Sequence, residues 1–167
     1  NKKQRFSRLL TFWQYELPLM FRKYHQLFLY TFLLFVLLCS MAVLSSMKDD
    51  GFVTGILGEN YVAMTEENIE KGDPFGVYSD ESRFSMWVRI AYNNIKVGFL
   101  MVVSGITFGL GTLYLYVQNS IMVGSFQYMF FAKGLGWQSV LVIWIHGTLE
   151  ISGMIIEACA GFILARS

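Results

Sequence analysis

The chain has 167 residues, 54% of them hydrophobic, 17% aromatic and 15% charged, with a net charge of +1 and a mean hydropathy of +0.46. Soluble domains carry about 25% charged residues, so this balance excludes an ordinary soluble globule and points to a polytopic, all-α membrane protein. No basic, aromatic-interleaved surface is present, which excludes nucleic acid as a partner.

Charge is segregated along the chain. Asn1 to Tyr24 holds six of the thirteen basic residues and one acid, Glu16. Within it, "RFSRLLTFWQYELPLMFRKY" mixes basic, aromatic and aliphatic residues at helical spacing, which predicts an amphipathic helix over residues 1–24 lying on the cytoplasmic face of a membrane. A short cytoplasmic helix packed on the rest of the protein is the alternative. Pro18 suits a first helical turn, so it restarts the helix there. No short apolar core followed by a small-residue cleavage site occurs, so this region does not read as a secretory signal. The chain opens without methionine and stops at "ILARS", as an excerpt of a longer protein would.

Residues 25–47 form the first predicted transmembrane helix. Gln26 to Met47 runs 22 residues without a charge, and about 20 suffice to cross the hydrocarbon core. Arg22 and Lys23 before it place the N-terminus in the cytoplasm.

Residues 48–85 form an acidic extracytoplasmic loop, with nine of the twelve acids between Lys48 and Glu81. "TEENIEKG" predicts a short helix with Thr65 as its N-cap, and "KGDPFG" predicts a turn. The spacing of a calcium-binding loop is absent.

Residues 86–167 form a glycine-rich helical membrane core. Arg89 and Lys96, seven residues apart, share one helix face. Asn93 to Ala132 is a 40-residue apolar region. One division is a single span, Val97–Val117, with a short interfacial helix, giving three crossings in all. The preferred division is two spans hinged at "GITFGLGT", the second covering Thr112–Phe131, giving four. Gly105, Gly109 and Gly111 favour a break or close helix packing. Asn94, Gln118 and Asn119 would then be buried polar groups facing protein. "KGLGW" predicts a turn, and Gln138 to Ala165 the last span. Cys39 and Cys159 lie within apolar runs as packing residues, with no disulfide framework.

The last span carries three ionisable residues, and an isolated one at mid-bilayer costs roughly 2.5–3.5 kcal/mol on insertion scales. At about 100° per residue, His146, Glu150, Gly153, Glu157 and Gly161 fall within roughly 80° of one another. With Gly147 and Gly153 letting a neighbouring helix approach, the stripe is expected to face inward, where His146 and Glu150 would clasp the packing. A proton- or ion-conducting path and a metal site are the competing readings. The metal reading lacks an HExxH motif and a second nearby histidine. Neither a cofactor nor a metal is expected, nor catalytic residues.

"NNIKVGFLMVVSGITFGLGTLYLYVQNSIMVGSFQYMFFAKGLG" followed by "HGTLEISGMIIEACAGFILA" resembles the stage II sporulation protein M family. The resemblance rests on an asparagine opening a span (Asn93 or Asn94), a glycine-rich segment ending in Gly111-Thr112, and His146, Gly147 and Glu150 as His-Gly-x-x-Glu. An Asn-Gly-x-x-x-Gly element departs from the pattern, because Ser120 follows Asn119 while Gly124 is kept. Glu157 stands where small residues are usual, so no family role passes to it. The N-terminal half is similar to the long form of the family, and "YVAMTEENIEKGDPFGVY" to members from Bacteroidetes-like bacteria.

The resemblance implies a multi-pass protein of the bacterial inner membrane. The namesake in spore formers is a membrane component of engulfment thought to anchor peptidoglycan-degrading partners. Long-form members resemble partners of operon-encoded membrane and ATPase proteins. The expected function is therefore a non-enzymatic scaffold for membrane or periplasmic envelope proteins, with a homo-oligomer left open. The alternative is a transporter or channel using His146, Glu150 and Glu157.

Overall fold

In the computed structural model the described residues are 7, 8, 10–74 and 83–166, with the side chains of 50, 83–87, 142, 143 and 146 outside the description. Every regular element among them is helical: α1 (Leu17–Lys48), α2 (Asp50–Leu57), α3 (Glu59–Glu70), α4 (Arg83–Val103), α5 (Leu110–Ala132) and α6 (Gly136–Leu164). Two stretches, Phe12–Lys48 and Gly147–Leu164, are long and apolar enough to cross a membrane.

The N-terminal segment is continuous with the first long helix. A π-helical turn, Phe12–Glu16, runs directly into α1, and Pro18 sits in the first turn, where its missing N–H breaks no helical bond. The axis bends at Tyr24, whose φ of −109° and ψ of 15° leave the helical region. Leu19, Met20 and Phe21, just before the bend, are exposed.

The polar stretch after α1 contains two helices. Asp49 caps α2 by accepting from the Gly51 N–H at 2.9 Å. Thr65 does not cap a helix. It sits inside α3, 1% exposed, with its hydroxyl donating to the Tyr61 carbonyl at 2.8 Å. The cap position belongs to Gly58, seven residues upstream of Thr65. Val53 of α2 packs with Met129 and Phe130 of α5, and Leu57, Tyr61 and Val62 close over them. Lys133 pairs with Glu66 at 2.6 Å, so α2 and α3 form a cap on one end of the bundle. Part of the "KGDPFG" motif, from Phe75 onward, lies outside the described residues.

The apolar region 93–132 is divided between two helices. α4 ends at Val103, a 3-10 turn covers Ser104–Ile106, and Phe108 (φ 55°) and Gly109 (φ 79°) then take left-handed backbone. Glycine carries that conformation without a Cβ penalty, whereas Phe108 adopts it with its ring 89% exposed. Thr107 fixes the corner: its hydroxyl donates to the Ser104 carbonyl at 2.7 Å and accepts the Gly111 N–H at 2.9 Å. Between α5 and α6, Gly134 (φ 76°) closes a Schellman turn, with Leu135 N–H on the Phe130 carbonyl and Gly134 N–H on the Phe131 carbonyl.

Cross-helix neighbours fix the helix directions. Tyr116 meets Thr31, and Cys39 meets Ser120, so α1 and α5 run the same way. Gln127 meets Trp144 near one end of α5 and Thr112 meets Gly161 near the other, so α6 runs oppositely. Gly98 lies against Glu157 and Gly105 against Gly161, so α4 runs with α6. The core around Phe35, Met101, Tyr116, Ile155 and Ala158 sits where all four long helices meet.

Candidate functional site

The polar stripe of α6 is split along its length. Its second half is packed against α4. The Glu157 carboxyl lies on the α-carbon of Gly98, occupying the space a side chain there would need. Four residues on, the Gly161 backbone meets Gly105 so closely that a Cβ on Gly105 would overlap the Gly161 carbonyl. A Cβ on Gly161 would stand 2.7 Å from the Met101 carbonyl and 2.5 Å from the Thr112 hydroxyl. The first half is open. Glu150 is exposed, and neither Gly147 nor Gly153 has any atom within 4 Å of where a Cβ would stand.

Of the two residues expected to clasp the packing inward, only Glu150 has a described side chain, and it faces outward. Glu150 makes no hydrogen bond or ion pair among the described side chains and does not lie inside the bundle. The His146 side chain lies outside the described residues. Gly147 and Gly153 are not packing residues within the chain. The physical reason is that the shared angular face of the stripe meets α4 only over the turns that carry Glu157 and Gly161.

Other groups tie the helices together. The Tyr116 hydroxyl, fully buried, donates to the Thr31 carbonyl at 2.8 Å, joining α5 to α1. The Thr31 hydroxyl itself donates to the Leu27 carbonyl at 2.9 Å. The Cys39 thiol donates to the Ser120 carbonyl at 3.2 Å, and the Cys159 thiol to the Thr31 hydroxyl at 3.4 Å. Both cysteines are free thiols. The Thr112 hydroxyl donates to the Met101 carbonyl at 2.8 Å, bridging α5 to α4 across the hinge. Trp144 donates to the Gln127 amide oxygen at 2.7 Å, and the Gln127 amide nitrogen donates to Ser139 at 2.9 Å. Buried polar groups paired across helices in this way satisfy one another without water.

The remaining expected residues are placed as follows. Gly109 opens α5 against Ala165, and Gly111 lies against Ser104 within the corner. Asn94 is half-buried on α4. Asn119 is half-buried and donates to its own helix, at the Leu115 carbonyl. Gln118 does not face protein; it is exposed and donates to the Tyr114 hydroxyl at 2.8 Å.

Tyr116, Gln127, Trp144 and the seam residues Gly98 and Gly124 had no assigned clasping or seam role, whereas Gly161 belonged to the stripe expected to face inward. A Cβ on Gly124 would stand 2.6 Å from the Cys39 carbonyl, which makes it the closest point between α5 and α1. The retained glycine after Asn119 and the Gly111-Thr112 pair were the sequence signals for two of these contacts.

Outside the bundle, the Lys71 ammonium sits 2.6 Å from the Glu67 carboxylate, one turn apart on the surface of α3. Its hydrogen bond and charge hold the Glu67 carboxyl below the ordinary carboxylate range.

The described residues form an all-helical bundle, tied by glycine contacts and cross-helix hydrogen bonds, with two helices long and apolar enough to cross a membrane. The chain belongs to the stage II sporulation protein M family, whose pattern matches residues 27–167. It is also 38% identical over 116 residues to an uncharacterized protein of Methanocaldococcus jannaschii, a match covering 67% of this chain and 60% of that protein. The chain thus spans less than two thirds of that relative's length. No solved structure matches it.

Proposed function

We propose that the chain is a non-enzymatic scaffold of the bacterial inner membrane, with four crossings and a cytoplasmic N-terminus, that holds cell-envelope remodelling partners at its outer face. The observation that carries this reading is the cap. Helices α2 and α3 are bound to the bundle through Val53, Met129 and Phe130 and by the Glu66–Lys133 pair, and they present Asp49, Glu59, Glu67, Glu70 and Asp73 outward. A rigid acidic platform suits docking of a partner with a basic surface, because charge complementarity steers encounter and fixes register. The alternating helix directions are those that four successive crossings require. The split stripe supports a scaffold over a conductor, since Glu150 stands outside the bundle and Glu157 is sealed against Gly98.

Photo-crosslinking in cells from a reporter at Glu59 tests it. Capture of envelope-remodelling proteins, lost when Glu59, Glu67 and Glu70 are all changed to Lys, is the expected result. Capture that survives the charge reversal, or ion flux through the reconstituted protein that disappears in Glu150→Gln, would count against the scaffold.

A further inference from the structure

We infer that a second copy of this chain docks in the membrane on the open half of α6, with Lys96 of each copy reaching Glu150 of the other. Three observations meet here. Glu150 is exposed on an apolar helix with no partner among the described side chains. Lys96, on α4, is equally exposed and equally without one. On either side of Glu150 along α6, the backbone at Gly147 and Gly153 is bare, with nothing within 4 Å of either Cβ position.

The geometry pairs them between copies and not within one. Gly98 faces α6, so Lys96, two residues and about 200° away, points from the opposite side of α4. Glu150 is two turns from Glu157 and shares its face of α6, which α4 has left by that height. One chain cannot bring these groups together around the body of α4.

A two-fold axis along the membrane normal can. It lays the outer face of α4 from each copy against the bare face of α6 of the other, and such an interface is self-complementary. It also preserves depth. Gly98 beside Glu157 sets Lys96 level with Ile155, five residues from Glu150. At about 1.5 Å per residue that offset is roughly 7.5 Å, which a lysine stem and a glutamate side chain together close. Glycines at the crossing allow the backbones to approach, and pairing removes two opposite charges from lipid. Leu149, 76% exposed and about 100° round the helix from Glu150, borders this face and would be partly covered with it. The inference rests on α4 and α6 both spanning the bilayer, and not on what the outer face recruits.

Disulfide trapping in membranes tests it, with Tyr92→Cys on one tagged copy and Leu149→Cys on another. Co-expression should give the mixed disulfide-linked dimer. Lys96→Glu or Glu150→Lys alone should lower the trapped fraction at least tenfold, and both changes in the same chain should restore it. Should a reversal variant fail to accumulate in the membrane, Lys96→Gln and Glu150→Gln are read in its place, and each should cut trapping several-fold. Absence of the mixed dimer, indifference to single substitutions, or failure of the double reversal to restore trapping overturns the pairing. Because trapping is read without any partner, an intact dimer that captures no envelope protein would reject the scaffold and leave the dimer standing.

Discussion

At Gly105 the chain meets the Gly161 carbonyl, whereas at Gly98 it meets only the end of the Glu157 side chain. That difference predicts opposite tolerances for the same methyl group. Backbone cannot step aside without moving a helix, so Gly105→Ala should destabilise the bundle by about 1–3 kcal/mol, the usual range for overpacking. Gly98→Ala has only to turn a flexible carboxyl away, and Gly153→Ala enters open space, so each should stay within about 0.5 kcal/mol of wild type. Thermal unfolding in detergent ranks the three. Tyr116→Phe removes the bond to Thr31 and should cost about 1 kcal/mol in the same assay, near the norm for one hydrogen bond. None of these contrasts was legible in the sequence. Helical periodicity gave the angle of each glycine on its own helix, but not which neighbour reached it. The stripe from His146 to Gly161 was correctly a single face of one helix, yet its two halves face different surroundings.

At the scale of elements, the corner between α4 and α5 depends on left-handed backbone at adjacent residues. Gly109→Ala should cost about 1 kcal/mol or more, because alanine meets the steric penalty at a φ of 79° and the Ala165 methyl group besides. Phe108→Gly should cost nothing measurable, since relief of the strained φ offsets the freer unfolded chain. Melting of the two variants side by side checks this. The break was legible because three glycines interrupt an apolar run too long for one crossing. The helix α2 and the first turns of α3 were hidden, and only the end of α3 was expected as a helix, because their charges read as solvated loop and the apolar residues that seat them, Val53, Leu57 and Tyr61, are spread among acids.

The surface of α3 should also respond to acid. Lys71 depresses the Glu67 carboxyl, so the pair's contribution is present above the ordinary carboxylate range and lost as pH falls through the lowered value. The protection factors of the amides around Glu67, corrected for the intrinsic exchange rate at each pH, should therefore fall at low pH in the wild type. Glu67→Gln should flatten that response at this turn, and an unchanged profile would contradict the pairing.

For the whole molecule, α1 and α5 run one way and α4 and α6 the other, with α2 and α3 capping one end and the Ser104–Gly109 corner at the other; under the proposed topology the capped end is the outer one. Composition made the membrane class and the first apolar helix plain, and motif order made the family plain. The cross-helix bridges were not legible, because ionisable residues draw attention in an apolar helix, whereas hydroxyls and thiols do the bridging with little signature. Opposite-side placement of the two turns that flank α5 is the most direct test. Single cysteines at Phe108 and Trp137, both largely exposed, would be challenged in intact cells with a membrane-impermeant thiol reagent. Trp137→Cys should label from outside, and Phe108→Cys only after the membrane is permeabilised. Labelling of both from the same side would mean that α5 does not cross, and the four-crossing bundle would be wrong.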